Sequence, residues 1–237
     1  MNKKLIRIKT LIIAATGVIL TLSSLGVNAQ PAPAEPVHEP ASHSVAVNVA
    51  QVDPDGLALG SESARLLAVA QSGDVEAYLA LGNLYMTANN DEQGLGAFEQ
   101  AYKLADNGQI KRSALFNKGN ALVRLNRFQE AEMAFSECLA LDPADTAPAF
   151  SLAGLHMRQG NYEMALEWLD SVSADYALET SFLRCRLHIL LKDAAAGNKS
   201  FAEARRVLDE EAGLDSENRI ELLRALEEMA KELASLK

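Results

Sequence analysis

The 237-residue sequence has little cysteine, few aromatic residues and only one long apolar run. Two cysteines cannot form a disulfide scaffold. The sequence also lacks C-x-x-C, H-E-x-x-H, G-x-S-x-G and phosphate-loop motifs, so we expect no catalytic residue, metal or cofactor. Basic residues are scarce: from Gln30 onward, 18 Lys and Arg oppose 32 Asp and Glu, a formal net charge of −14. Phosphate backbones repel such a surface, so nucleic acid is not expected as a partner.

The one long apolar run lies near the N-terminus and is typical of a secretory signal peptide. Four cations and no acid precede the run Leu11–Leu25, and small residues follow at Val27 and Ala29. These two positions match the −3 and −1 sites of signal peptidase. We therefore predict a signal peptide over residues 1–29, cleavage after Ala29 and export to the bacterial periplasm. The alternative is an uncleaved segment that tethers the chain to the inner membrane, the only case in which a membrane contact is expected.

Proline is nearly confined to the next segment, which holds five of the seven prolines before residue 55. Proline and alanine in this density predict an extended, disordered linker over residues 30–60. Val45–Val52 has a strand-like bias within it; we interpret this stretch as slightly apolar linker, the alternative being pairing with a partner's sheet edge. His38 and His43 lie in the same linker, where nothing rigid fixes their geometry, and no metal site is predicted.

From Ser61 onward the sequence repeats itself with a period near 34 residues. Three segments share one pattern of small and large residues: Tyr78-x-x-Leu81-Gly82-x-x-Tyr85, Leu115-x-x-Lys118-Gly119-x-x-Leu122 and Ala149-x-x-Leu152-Ala153-x-x-His156. A second pattern also recurs: Phe128-x-x-Ala131-x-x-x-Phe135, Tyr162-x-x-Ala165-x-x-x-Leu169 and Phe201-x-x-Ala204-x-x-x-Leu208.

These patterns resemble the tetratricopeptide repeat, a helical hairpin of 34 residues that closes near a proline, here Pro143. The resemblance implies an all-α fold, in which hairpins stack into a superhelix (an α-solenoid) with capping helices after the Pro-rich tether. It implies an N-terminal capping helix at 61–74, three repeats at 75–179, a degenerate fourth hairpin at 180–212 and a C-terminal capping helix at 213–237.

Small residues in the repeat let two helices approach, and large ones fill the space between hairpins. The small positions are Gly82, Gly119, Ala131, Ala153, Ala165 and Ala204, and the large ones are Tyr85, Phe98, Phe135 and Leu169. Copies one and two are separated by three extra residues, which we place around Asp106–Gly108. The fourth copy carries five extra residues, which we place at Asp193–Lys199.

Proteins with this repeat usually bind an extended peptide or short helix of another protein on the face formed by their first helices. Carried over by position, this groove would consist of Asn83, Met86, Phe116, Asn117, Asn120, Arg124, Phe150, Met157 and Arg158. Asn83 and Asn117 match amides that hold a peptide main chain or carboxylate in co-chaperones, although the accompanying basic residues are replaced here. Arg124 and Arg158 are one repeat apart, and we hypothesise that they bracket acidic side chains of a ligand.

We therefore predict a non-catalytic protein–protein interaction module, a scaffold or adaptor, in the bacterial periplasm. Its expected role is assembly of a cell-envelope complex; the alternative is an accessory subunit or maturation factor of a periplasmic enzyme system. Cys138 and Cys185 are expected to be buried, independent thiols. The oligomeric state and the partner's identity stay open. The Glu-rich face of the C-terminal helix is interpreted as solvated surface, the alternative being a partner-binding or dimerising helix.

Overall fold

The computed structural model describes residues 57–211 and 214–236, so the predicted signal peptide and nearly all of the linker lie outside the described residues. The described chain divides into two compact units, and the boundary falls between Leu155 and His156. The first unit contains α1 (Leu57–Gln71), α2 (Val75–Thr87), α3 (Asp91–Leu104), α4 (Gly108–Arg124), α5 (Phe128–Leu141) and most of α6 (Ala147–Arg158). The second contains α7 (Tyr162–Asp170), a 3-10 helix (Ala174–Tyr176), α8 (Ala177–Leu190), α9 (Ala194–Glu210) and α10 (Ser216–Ser235). Within these ranges, no helix combines the length and the apolar character needed to span a membrane.

The first unit is built from consecutive helices that pack on their neighbours. The helix α3 packs against both α2 and α4, α4 packs against α5, and α2 also contacts α4. At the N-terminal end α1 packs against α2, and Leu66 and Leu67 cover the cluster formed by Leu81, Tyr85 and Ala97. The capping helix begins at Leu57, four residues before the predicted start at Ser61, because Leu57-Ala58-Leu59 favours helix as strongly as the residues that follow.

One backbone conformation recurs at the turn inside each hairpin. The turn residue has a positive φ of 59°, 59°, 80° and 58° at Asn89, Asn126, Gly160 and Lys192. The N–H of the next residue donates to the carbonyl five residues earlier, at 2.9 Å in all four turns. The second helix of the hairpin then begins two residues after the turn residue. A left-handed residue that ends one helix in this way fixes the register of the hairpin, so residues 177–210 form a hairpin with the same turn as the other three.

These turns correct the predicted register of the fourth hairpin. In every hairpin the residue five positions after the turn residue is small: Gly94, Ala131, Ala165 and Gly197. The residue four positions further on is large: Phe98, Phe135, Leu169 and Phe201. The small position of the fourth hairpin is therefore Gly197, and the prediction of Ala204 was wrong by seven residues. Seven residues are about two helical turns, so Ala204 lies on the same side of α9 and is fully buried.

The extra residues that separate the repeat copies in the sequence are mostly helical in the structure. α9 begins at Ala194, so Asp193–Lys199 belongs almost entirely to this helix, and the side chain of Asp193 accepts a hydrogen bond from the Ala196 N–H at 2.9 Å. α4 has 17 residues where α2 has 13, so most of the extra residues near Asp106–Gly108 lengthen the start of α4. Asn107 caps this longer helix by accepting from the Gln109 N–H at 2.7 Å.

The second unit ends with α10 as a closing helix. α8 packs against α7 and α9, and α10 packs against both α9 and α8. α4 makes the same pair of contacts, with α3 and α2, in the first unit. α10 therefore takes the place that the first helix of a next hairpin would have. Its buried side is apolar and contains Leu222, Leu226, Met229 and Leu233.

Candidate partner-binding face

Five of the predicted groove residues lie together on α2 and α4 of the first unit. We call the side of these two helices that carries Asn83, Met86, Phe116, Asn117 and Asn120 the first-helix face. Asn83 is exposed and the other four are half-buried. Residues three or four positions apart lie on one side of a helix. Asn83 therefore shares a side of α2 with Met86, and Asn120 shares a side of α4 with Phe116 and Asn117. Asn83 and Asn120 follow Gly82 and Gly119 directly, so they hold the same position in successive hairpins.

The amides of this face have no hydrogen-bond partner among the described residues. Among the described residues, the side-chain amides of Asn83, Asn117 and Asn120 form no hydrogen bond with the rest of the chain. An asparagine amide offers two donors and one acceptor oxygen. Amides at this surface that bond to no other described residue are available to a ligand's main chain.

Phe116, an apolar residue of the first-helix face, packs against the second helix of its hairpin. The Phe116 ring lies 5.9 Å from the Phe135 ring between centroids, at an angle of 56°. Tilted aromatic pairs at this distance attract each other. Phe135 is fully buried in α5, so Phe116 has a fixed position on α4 while part of its ring stays accessible.

Arg124, a predicted ligand contact, connects two hairpins. Its Nη1 donates to the Met86 carbonyl at 2.9 Å, and its Nη2 donates to Asn89 Oδ1 at 2.9 Å. Nη2 also lies 2.7 Å from Asp91 Oδ1. The guanidinium thus joins the end of α4 to the end of α2 and the start of α3. Its charge is matched by Asp91, which leaves it less suited to an acidic ligand than its sequence position indicates.

Two other cations of α4, Lys118 and Arg112, are paired in a similar way. Lys118 Nζ lies 3.3 Å from Glu99 Oε1 on α3. Arg112 pairs with Asp142, and its Nε lies 3.6 Å from Asp145 Oδ2. The first-helix face therefore consists of amides and apolar side chains, and the cations Arg112, Lys118 and Arg124 are already neutralised.

The remaining predicted groove residues lie on α6, which crosses the unit boundary. Phe150 belongs to the first unit and is half-buried. Met157 is half-buried and Arg158 is exposed in the second unit. The hypothesis that Arg124 and Arg158 bracket one ligand therefore stays a prediction.

In the fourth hairpin, the position that corresponds to Asn83 and Asn120 is covered. That position is Arg186, which is only 7% exposed, and its Nη1 lies 2.6 Å from Glu232 Oε2 on α10. The neighbouring Phe182 and Ile189 are buried as well. α10 thus closes the first-helix side of this hairpin. Sequence reasoning missed the pair because its two members are 46 residues apart and have no local signature.

The described residues offer no reactive cluster. Both cysteines are buried and free, and burial raises the pKa of Cys138 to about 11 and that of Cys185 to about 12. Loss of hydration lowers the pKa of His188, whose Nδ1 lies 2.9 Å from Ser200 Oγ. In residues 57–211 and 214–236, no three His, Cys, Asp or Glu side chains are grouped so that they could hold a metal.

Comparison with known proteins agrees with this architecture. Residues 75–107 and 122–181 match sequence models described as tetratricopeptide repeat. The peroxisomal targeting signal receptor of Saccharomyces cerevisiae is 29% identical over 108 residues, which are 46% of this chain and 17% of that receptor. The chain thus matches about a sixth of the length of this curated relative.

Two solved structures share the fold at low sequence identity. MamA 41-end from Desulfovibrio magneticus RS-1 has a TM-score of 0.51 and 16% identity, over 68% of this chain and 92% of that one. A MamA RS-1 double mutant has a TM-score of 0.52 and 16% identity, over 68% and 97% of the two chains. The chain therefore carries tetratricopeptide repeats within an all-α fold of stacked helical hairpins.

Proposed function

We propose that this chain is a non-catalytic interaction module that binds an extended segment of another protein on its first-helix face. The observation that carries the proposal is the set of amides on α2 and α4 that form no hydrogen bond with another described residue. Neighbouring helices pack about 8–10 Å apart. An extended chain advances about 3.3 Å per residue, so Asn83 and Asn120 suit main-chain groups about three residues apart.

The charges around the face favour recognition of the main chain over recognition of acidic side chains. Arg124 and Lys118 are the cations nearest to the amides in sequence, and both are paired with carboxylates of α3. A ligand carboxylate would have to displace these partners. An uncharged stretch that places its main chain against the amides and its side chains against Met86 and Phe116 needs no such exchange.

The setting of this binding is proposed from the N-terminal sequence. A basic start, an apolar run and small residues at Val27 and Ala29 support export to the periplasm, where the module would assist the assembly of a cell-envelope complex. N-terminal sequencing after cell fractionation should yield Gln30 in the soluble periplasmic fraction. Recovery of Met1 in the inner membrane would overturn the cleaved form.

The binding proposal is tested by photo-crosslinking in cells. A photoreactive amino acid at Asn120 should capture a discrete partner, because this position lies on the first-helix face. The matched control is Met133 on α5, which is 72% exposed and belongs to a second helix. Capture of the same partner from Met133 and not from Asn120 would place the binding site on another surface.

A further inference from the structure

We propose that the ligand of the first-helix face is a proline-rich segment in the polyproline II conformation, uncharged where it crosses α2 and α4 and basic at its ends. The inference rests on the proposed function and names the conformation and composition of the segment that is bound. Three observations support it: the rows of side chains on the face, the spacing between the two helices, and the charge around the face.

The two first helices present the same order of side chains on this face. Each carries an apolar residue, an amide and a second apolar residue on successive turns: Leu79, Asn83 and Met86 on α2, and Phe116, Asn120 and Val123 on α4. All six are half-buried except Asn83, which is exposed. The two sets hold the same repeat positions, and α2 contacts α4. The face therefore consists of a row of amides between two apolar rows, and all three rows run from α2 to α4.

The spacing along these rows matches the period of a polyproline II helix. Packed helices lie about 8–10 Å apart, so the amides of Asn83 and Asn120 repeat at about this distance. A polyproline II helix has three residues per turn and a rise of about 3.1 Å, so it presents the same side after about 9.3 Å. A β-strand presents the same side after about 6.6 Å or 13 Å. A segment in the polyproline II conformation therefore offers equivalent main-chain groups to both amides.

The hydrogen-bonding groups of the face distinguish such a segment from a ligand helix. The main chain of a helix is bonded within the helix, so it leaves the amides without a main-chain partner. Polyproline II has no internal hydrogen bonds, and its carbonyl groups need donors where the face covers them. The NH2 groups of Asn83 and Asn120 are such donors.

Proline suits both the amides and the apolar rows. Proline has no N–H, so a covered proline adds no donor that needs a partner. Proline-rich segments dock on grooves lined by aromatic rings. The Phe116 ring is half-buried and is held against Phe135, so it offers a fixed aromatic surface beside Asn120.

The charge around the face complements a segment with an uncharged centre and basic ends. None of the six residues in the three rows is ionisable. Lys118 and Arg124 are paired with Glu99 and Asp91, so an uncharged centre covers them without separating an ion pair. From Gln30 onward, 18 Lys and Arg oppose 32 Asp and Glu. A body with this excess of acid attracts basic ends and repels acidic ones.

The test measures the binding of labelled synthetic peptides to the full chain by fluorescence anisotropy. The probe peptide has four Ala-Pro-Pro repeats between two terminal lysines. The control peptide has four Ala-Ser-Gly repeats between the same lysines, so its length and charge are equal and only the conformational preference differs. We expect the proline peptide to bind at least tenfold more tightly than the control. A proline peptide with terminal glutamates should bind more weakly than the lysine form, and added salt should reduce this difference.

Variants of the chain locate the binding. Asn83→Ala with Asn120→Ala should weaken binding of the proline peptide at least tenfold at unchanged helicity. Gln129→Ala, which alters an exposed amide on α5, is the matched control and should bind as the unsubstituted chain does.

Equal binding of the proline and Ala-Ser-Gly peptides, or no binding of either, would overturn the proposal. Full binding by the folded double variant, or tighter binding of the glutamate form, would overturn it as well. Photo-crosslinking at Asn120 does not depend on the conformation of the ligand. A partner captured there together with failure of the proline peptide would refute this inference alone, whereas capture from Met133 and not from Asn120 would contradict the proposed function.

Discussion

Gly119 lies so close to Phe135 that a Cβ atom on the glycine would be 2.5 Å from Cε1 of the ring. The same relationship joins Gly82 to Phe98, where the distance would be 2.4 Å. Both rings are buried and cannot turn aside. The glycine of the first helix is therefore required by the aromatic ring of the second helix, and this contact holds Asn83 and Asn120 in place next to the two glycines.

We expect Gly119→Ala to lower the free energy of unfolding by about 1–3 kcal/mol, because the added methyl group overlaps a buried ring. The control is Gly96→Ala in α3, where a Cβ would meet nothing within 4 Å; this change should stabilise by about 0.5–1 kcal/mol through helix propensity. Urea unfolding measures both. Phe135→Leu should relieve part of the loss when combined with Gly119→Ala, and strictly additive effects would contradict the contact.

Arg124→Ala should destabilise the first unit although the side chain is partly exposed. It removes the hydrogen bonds to the Met86 carbonyl and Asn89 and leaves Asp91 without its cation. Because the Arg124 side chain is 37% exposed, we expect a loss of only about 1 kcal/mol in urea unfolding. Arg65→Ala on the exposed side of α1 is the control and should change stability by less than about 0.5 kcal/mol. Equal stability of the two variants would show that the link between hairpins contributes nothing.

Glu232→Gln should loosen the C-terminal helix. The substitution leaves Arg186 buried without a negative partner, and breaking such a pair is costly. Because the Glu232 side chain is about a third exposed, we expect a loss of about 2 kcal/mol, below the range for fully buried pairs. Hydrogen exchange should accelerate in α10. Glu228→Gln, which breaks an exposed pair with Lys231, is the matched control; identical exchange in both variants would contradict the role of Arg186.

The buried thiols should make stability fall at alkaline pH. The folded pKa of Cys185, about 12, lies above the value of about 8.5 for an unfolded thiol. A raised pKa stabilises the fold fully below pH 8.5, and this contribution is lost as the pH rises toward 12. Between about pH 8.5 and 10 the loss should reach about 2 kcal/mol for this thiol. Cys185→Ala should show a shallower decline in urea unfolding, and an unchanged pH profile would refute burial of the thiol.

The sequence predicted the first three hairpins because each has a distinctive contact pair. Gly119 with Phe135, and its counterparts in the other two copies, recur at nearly constant spacing. The fourth copy misled the prediction because Gly197 and Ala204 are seven residues apart and share one helix side. Its register depends on the left-handed conformation of Lys192, and lysine, unlike asparagine or glycine, gives no sequence signal for that conformation.

The candidate site was predictable in its residues but not in its charge. Asn83, Asn117 and Asn120 follow from their repeat positions alone. The state of Arg124 depends on Asp91 and on the Met86 carbonyl, which belong to the preceding hairpin. Both partners lie more than 30 residues from Arg124 in the sequence, so only the packed structure shows that this arginine is already paired.

The most direct test of the account is the affinity of the partner captured at Asn120 for two variants of the full chain. Asn83→Ala with Asn120→Ala removes main-chain hydrogen bonds at the first-helix face, whereas Gln129→Ala alters an exposed amide on α5. We expect the double variant to bind at least tenfold more weakly, with unchanged helicity and unfolding, since each lost hydrogen bond costs about 0.5–1.5 kcal/mol. We expect Gln129→Ala to bind as the unsubstituted chain does. Unchanged affinity of the folded double variant would contradict the central claim that these amides hold the ligand.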